Sequence, residues 1–138
     1  EAQASVDLQQ ALSQADVVAV ATTSTESFIR SDWVKPGTHL GLIGAFTAKM
    51  AEAEPVLMTR AQLFADSRAA VLEKGGEVYQ AVQQGLISAS DIQAELAELA
   101  AQPLRPWRQD DQAITVFKSV GFASLDLIAA EVVFKRRD

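Results

Sequence analysis

The sequence predicts an α/β fold in which parallel strands are flanked by helices, and three observations carry that reading. Stretches with helical spacing alternate with short apolar runs along the chain. The runs are unbroken, as in "VVAVA" at 17–21, which is the pattern of strands covered on both faces and so of a parallel sheet. The second run closes on glycine and alanine within "GTHLGLIGAFTAKM" at 37–50, a stretch that holds three of the chain's seven glycines. A glycine at the carboxyl end of a parallel strand lets something flat or charged approach the backbone, and ligands of such sheets gather at those ends.

Each element follows in order. "SVDLQQALSQ" places Val6, Leu8, Ala11, Leu12 and Ala15 near helical spacing, with Ser5 as the expected N-cap, and the first strand follows from Val17 to Ala21. Pro36 and Gly37 make a turn before a second strand over 38–43. "VLMTRAQLFADS" reads as a short helix and a third strand near Leu63 to Ala65. A helix from Arg68 is interrupted at Gly75 and Gly76 and resumes as far as a stop at Gly85. In "SASDIQAELAELAAQP", Ser90 and Gln93 pair as a capping box, Ile92, Leu96 and Leu99 share a face, and Pro103 ends the expected helix. "PLRPWRQDDQ" is a proline-broken loop, "AITVFKSVG" a fourth strand, and "FASLDLIAAEVVFKRR" a long final helix whose apolar residues cover more than a narrow stripe.

Composition bounds the function. The 138 residues, 49% of them hydrophobic, suffice for one domain with a real core. A formal charge of -6 argues against a nucleic-acid partner, since phosphate recognition needs a basic surface. With no cysteine and one histidine, disulfides, thiolate metal sites, a cysteine nucleophile and a histidine cluster are all excluded, and a cytoplasmic, soluble protein is the expectation. No apolar run approaches the roughly 20 residues that cross a bilayer, so no membrane partner is expected. The chain begins "EAQASVDLQQ", without an initiator Met or a signal-peptide pattern, and is expected to be a piece of a longer protein. Neither G-x-G-x-x-G nor G-x-x-x-x-G-K-[ST] occurs, because Gly37, Gly41 and Gly44 have the wrong spacing. The residues by themselves therefore give half of an α/β domain. Its ligand-facing ends would be "TTSTE", "GAFTAK", "DSR" and "KSVG".

At these four ends the chain resembles the ornithine cyclodeaminase and mu-crystallin family. The resemblance rests on "ADVVAVATTS", "WVKPGTHLGLIGAFTAKMAE", "LFADSRAAVLEKGGEV" and above all "ITVFKSVGFASLDLIAA", in that order and at the expected separations, and it covers nearly the whole chain. It implies the C-terminal half of a Rossmann-type NAD(P)-binding domain over 1–120, with the glycine-rich loop upstream of Glu1. Residues 121–138 would form a helix returning to a dimerisation and substrate region. NAD or NADP is the implied cofactor, a small imino or amino acid the implied substrate, and a homodimer the implied assembly. Residues that grip the substrate carboxylate would also lie upstream. By the same resemblance, Thr22 and Thr23 lie along the cofactor, Ile43, Gly44, Ala45 and Phe46 pass beside the nicotinamide ribose, and Ser119 contacts the nicotinamide end, with Gly121 turning the backbone into the last helix. A side chain beyond Cβ at Gly44 is expected to collide with the ring.

Phe46 departs from the cyclodeaminase pattern. The matching position there is an Asp that handles the substrate's proton, followed by a substrate-binding lysine; here that lysine's register falls on Met50, with Lys49 one place early and a possible catalytic group. A phenyl ring neither accepts nor donates a proton. The resemblance therefore leans to members that reduce cyclic ketimines such as pyrroline-2-carboxylate. Ornithine cyclodeamination to proline and ammonia, and non-catalytic NADPH-dependent binding as in mu-crystallin, stand as the alternatives. A half-domain with an unpaired strand edge is expected to be inactive alone.

Several residues have plainer expectations. His39 reads as a core histidine, and Trp33 and Trp107 as covers on a core edge. Asp66 with Arg68, and Asp110 with Asp111, read as caps and solvated turns. "KRR" at 135–137 suits the negative end of a helix dipole. For Gly44 and Ala45, close packing of a helix competes evenly with a ligand on sequence grounds.

Overall fold

The computed structural model describes residues 2–136. Among them are five strands, β1 (Val17–Val20), β2 (His39–Leu42), β3 (Ala61–Ala65), β4 (Ile92–Glu95) and β5 (Ile114–Lys118), and five helices, α1 (Leu8–Gln14), α2 (Arg68–Lys74), α3 (Gly76–Gln83), α4 (Leu96–Ala101) and α5 (Ala123–Lys135). The strands form one sheet in the order β1-β2-β5-β3-β4, and every pair is parallel. The last strand to form in chain order thus sits in the middle, between β2 and β3.

Register decides which residues share a face. Val18, Leu40, Val116 and Leu63 stand in one row, and Val20, Leu42, Lys118 and Ala65 in the next. With Leu12, Val71, Val78, Ala81, Leu57 and Met58 they make the core, beneath α1, α2, α3 and the 3-10 turn Pro55–Arg60. The opposite face carries Val17, His39, Thr115 and Gln62, then Ala19, Gly41, Phe117 and Phe64. It is covered only in part. Gln62, Phe64 and Thr115 are buried, and the loop between α4 and β5 is tied down there: Gln109 N–H donates to Gln62 Oε1 at 3.1 Å, and Trp107 meets Phe64 edge-on at 6.3 Å. Over β1 this face is bare, with Val17 70% exposed. The first strand, read from its unbroken apolar run as covered on both sides, is covered on one among the described residues.

Two expectations are corrected. The helix expected from Ser90 begins instead as a 3-10 turn, Ala89–Asp91, and β4, so the sheet has five strands rather than four. Ile92 and Ala94 alternate inward with Gln93 outward, a period of two that the downstream Ala/Glu/Leu repeat obscures. The capping boxes are Ser88 with Asp91 and Glu95 with Glu98, and only Leu96–Ala101 is helical. At the amino end, Asp7 rather than Ser5 caps α1, accepting from Gln10 N–H at 2.9 Å. The break at Gly75 and Gly76 and the end near Gly85 fall where the sequence puts them.

Candidate functional site

The carboxyl ends of β1, β2, β3 and β5 meet on one rim of the sheet, and two loops shape it. The segment after β1 and the one after β2 run side by side: Ala51 N–H donates to Ser24 O, Phe28 and Ile29 N–H to Glu52 O, and Glu54 N–H back to Ile29 O. Ile29, Ala51 and Ala53 are buried in this seam, which carries the Glu52 side chain under the strand ends.

Glu52 is fully buried, and its carboxylate holds the loops together. Oε1 accepts from Thr22 N–H at 2.6 Å, and Oε2 accepts from Gly44 N–H at 2.8 Å and Ala45 N–H at 3.2 Å. This geometry gives a different reason for glycine at 44 from the one expected. A Cβ there would be driven into the Thr22 backbone and the Glu52 carboxylate, so the chain itself fills the space. Ala45 is small for a similar cause: it is buried against the start of α3, where a Cβ on Gly76 would come within 2.7 Å of its own Cβ.

Beneath this clasp lies a buried ion pair. Lys118 Nζ, at the end of β5, is 2.9 Å from Glu77 Oε1 in the first turn of α3, and both side chains are almost wholly inaccessible. Glu77 Oε2 accepts from Glu52 N–H at 3.2 Å. Burial pushes the Glu77 carboxyl upward, and the Lys118 ammonium opposes that shift.

Asp66, read as a cap or solvated turn, is a second buried clasp. Its Oδ2 accepts from Ser119 Oγ at 2.8 Å, Val120 N–H at 2.9 Å and Gly121 N–H at 2.8 Å, while Oδ1 accepts from Ser67 N–H at 2.7 Å. The end of β5 is thereby fastened to the end of β3. Gly121 then takes φ +74°, which a side chain would resist, and leads into α5.

Of the seven residues assigned to the cofactor by resemblance, all lie on this rim. Thr22 and Thr23 are exposed, as are Ile43 at 51% and Phe46 at 49%, whereas Gly44, Ala45 and Ser119 are held by the carboxylates beneath. Lys49 sits exposed on the turn after Phe46, and Met50, in the cyclodeaminase lysine's register, is buried. The sequence reading missed Glu52 and Glu77 altogether. Their signal was faint: each acid is flanked directly by small or apolar residues, Ala51 and Ala53 for Glu52, Gly76 and Val78 for Glu77.

The remaining candidates are structural. His39 is half-buried, with Nδ1 2.8 Å from Thr115 Oγ1, and burial together with the Arg108 guanidinium holds it below the usual imidazole range. Trp33 packs on the core edge, Trp107 is also partly covered, and Asp110 caps its own turn through Gln112 N–H. Arg68 meets Glu98 at 3.0 Å. Of "KRR", Arg137 lies outside the described residues.

A parallel sheet flanked by helices, with glycine, hydroxyls and uncovered apolar side chains collected at its carboxyl ends, is a Rossmann-type α/β architecture. The chain belongs to the ornithine cyclodeaminase/mu-crystallin family, whose model matches residues 1–138. It is 44% identical over 127 residues to the Delta(1)-pyrroline-2-carboxylate reductase of Paracoccus denitrificans, covering 92% of this chain and 40% of that protein. Identity to the ketimine reductase mu-crystallin of Mus musculus is 39% over 129 residues, 92% of this chain and 37% of the relative. The Thermococcus litoralis Delta(1)-pyrroline-2-carboxylate reductase, solved with NADH and L-proline, superposes with a TM-score of 0.85 at 31% identity, over 93% of this chain and 39% of that one. The chain thus spans about two fifths of the length of the relatives it matches. No helix among the described residues is long and apolar enough to cross a membrane.

Proposed function

We propose that this chain supplies the nicotinamide-side part of an NAD(P)H-dependent imine reductase, acting on a cyclic ketimine carboxylate such as pyrroline-2-carboxylate. One observation carries the choice among family activities: Phe46, 49% exposed on the rim, stands where the resemblance puts the cyclodeaminase acid. Two acids at the ends of these strands, Glu52 and Asp66, are buried and occupied by backbone and hydroxyl donors. Deamination needs a group that carries protons to and from the substrate amine, whereas reduction of a formed imine needs one hydride on carbon and one proton on nitrogen.

The residues fit the nicotinamide end of a dinucleotide better than its pyrophosphate. Backbone N–H groups that would hold a phosphate are already spent on Glu52 and Asp66, while Ile43 and Phe46 leave apolar surface uncovered beside the Thr22 and Thr23 hydroxyls. The cofactor, when bound, supplies the hydride. Thr22, Thr23, Ile43, Gly44, Ala45, Phe46 and Ser119 would form its bed, and Lys49 is available as a cation on the adjoining turn. The resemblance to proteins solved with NADH supports this bed.

Residues 1–120 would be the second part of the cofactor domain, and 121–138 the helix to a dimerisation region. The exposure of Leu127 at 71%, Val133 at 65% and Phe134 at 74% supports a homodimer in which α5 is covered. A cytoplasmic setting agrees with the cysteine-free composition. The test follows NADH and NADPH oxidation with pyrroline-2-carboxylate by the longer parent protein, with the 138-residue chain beside it. Oxidation by the parent is the expected outcome. Ammonia and proline formed from ornithine, with no oxidation of cofactor by the imine, would replace this reading with cyclodeamination.

A further inference from the structure

Resting on that reading, we infer that Glu52 and Asp66 are positioning residues: two buried carboxylates that hold the three loops of the rim in the arrangement the nicotinamide end of the cofactor requires. Among the seven residues of the cofactor bed, Thr22, Gly44 and Ala45 are fastened through their N–H groups to Glu52, and Ser119 through its hydroxyl to Asp66. The same two carboxylates take the N–H groups of Ser67, Val120 and Gly121. No ion pair to either acid occurs among the described residues, and the oxygens of both are met by backbone N–H groups and the Ser119 hydroxyl. A buried carboxylate is costly unless its oxygens are satisfied, and backbone donors are the fixed partners that satisfy them.

The arrangement does more than tie strands together, because every pair of strand ends is already joined by the sheet itself. Each clasp acts beyond the last ladder bond, where a strand end would otherwise be a free loop: Glu52 spans the ends of β1 and β2, Asp66 those of β3 and β5. It also decides what the loops present. With these N–H groups turned inward to carboxylates, the uncovered Phe46 and Ile43 are left on the surface, which suits a flat carboxamide-bearing ring and poorly suits an anion.

Two substitutions in the longer parent separate positioning from stability. Glu52→Gln keeps one oxygen for Gly44 and Ala45 but sets an NH2 against the Thr22 N–H, so the β1 loop is released while the fold retains most of its bonds. Asp66→Asn is milder, since its oxygen can serve Ser119, Val120 and Gly121 and only the Ser67 contact is lost. Two readouts independent of turnover are taken: amide hydrogen exchange in the cofactor-free protein, and the NADH dissociation constant by calorimetry. Expected for Glu52→Gln is exchange at Thr22 faster by about tenfold with Leu40 and Leu42 unchanged, and NADH binding weaker by about tenfold. Asp66→Asn is expected to weaken NADH binding by a smaller factor. Folded variants with a lowered Tm and unaltered NADH binding would overturn the inference and leave the proposed activity standing. Absence of NADH binding by the unsubstituted parent would overturn the proposed function first, and the positioning role with it.

Discussion

Helix α3 buries Gly76, Glu77, Val78 and Ala81 within eight residues, whereas α5, thirteen residues of more apolar sequence, buries none. The difference is one of partners. α3 lies over the sheet against Ala45 and the Pro55–Arg60 turn and carries the acid that neutralises Lys118. α5 leaves the rim at Gly121 and runs out with Leu127, Val133 and Phe134 uncovered. Apolar content makes burial favourable, but a helix is buried only where another surface of matching shape meets it. Among the described residues that surface exists for α3 and is missing for α5.

The hardest way to break the α3 side is to remove one partner of its ion pair. Lys118→Met leaves the Glu77 carboxylate buried without its cation, and a loss of about 3–5 kcal/mol in urea unfolding is expected. A double variant, Lys118→Met with Glu77→Gln, should recover most of it, because the glutamine oxygen can still accept the Glu52 N–H. Failure of the double variant to recover would mean that the loss does not come from leaving the Glu77 charge unpaired. The same chemistry applied to both helices sharpens the contrast. Val78→Ala empties packed space and should cost about 1.5–3 kcal/mol, while Val133→Ala, at a site 65% exposed, should stay within about 0.5 kcal/mol in the 138-residue chain. If α5 is covered in the longer parent, Val133→Ala should become clearly destabilising there, and equal small effects in both proteins would sink the interface reading.

How far the sequence could be read follows from the same contrast. Strands with unbroken apolar runs, the break at Gly75 and Gly76 and the long last helix were legible because local patterning sets them. β4 was not, since Ile92–Glu95 is four residues long and runs into a helical repeat. Gly44 stood out at once, yet the cause lay eight residues on, in Glu52. Buried acids are read from sequence as surface residues by default, because a single polar letter says nothing about the donors that surround it after folding. The rim was thus legible as a place, and the carboxylates that build it were not.

The smallest effect concerns the sheet face opposite α3, where the cover thins toward β1. His39 stands at the edge of that cover, its Nδ1 on Thr115 Oγ1 and the Arg108 guanidinium nearby, and both burial and that cation disfavour the imidazolium. Its pKa in the folded chain is therefore below the usual 6.5. The unfolded chain binds a proton first as pH falls, so stability contributed by neutral His39 is complete above pH 6.5 and is lost as pH drops from there through the folded value. His39→Gln, which can still bond Thr115, should flatten this part of the stability profile below pH 6.5 while leaving it unchanged near pH 8. An identical slope in the variant would assign the pH dependence to the acids instead, and would place His39 with the solvent-exposed residues of β1 rather than with the covered half of the face.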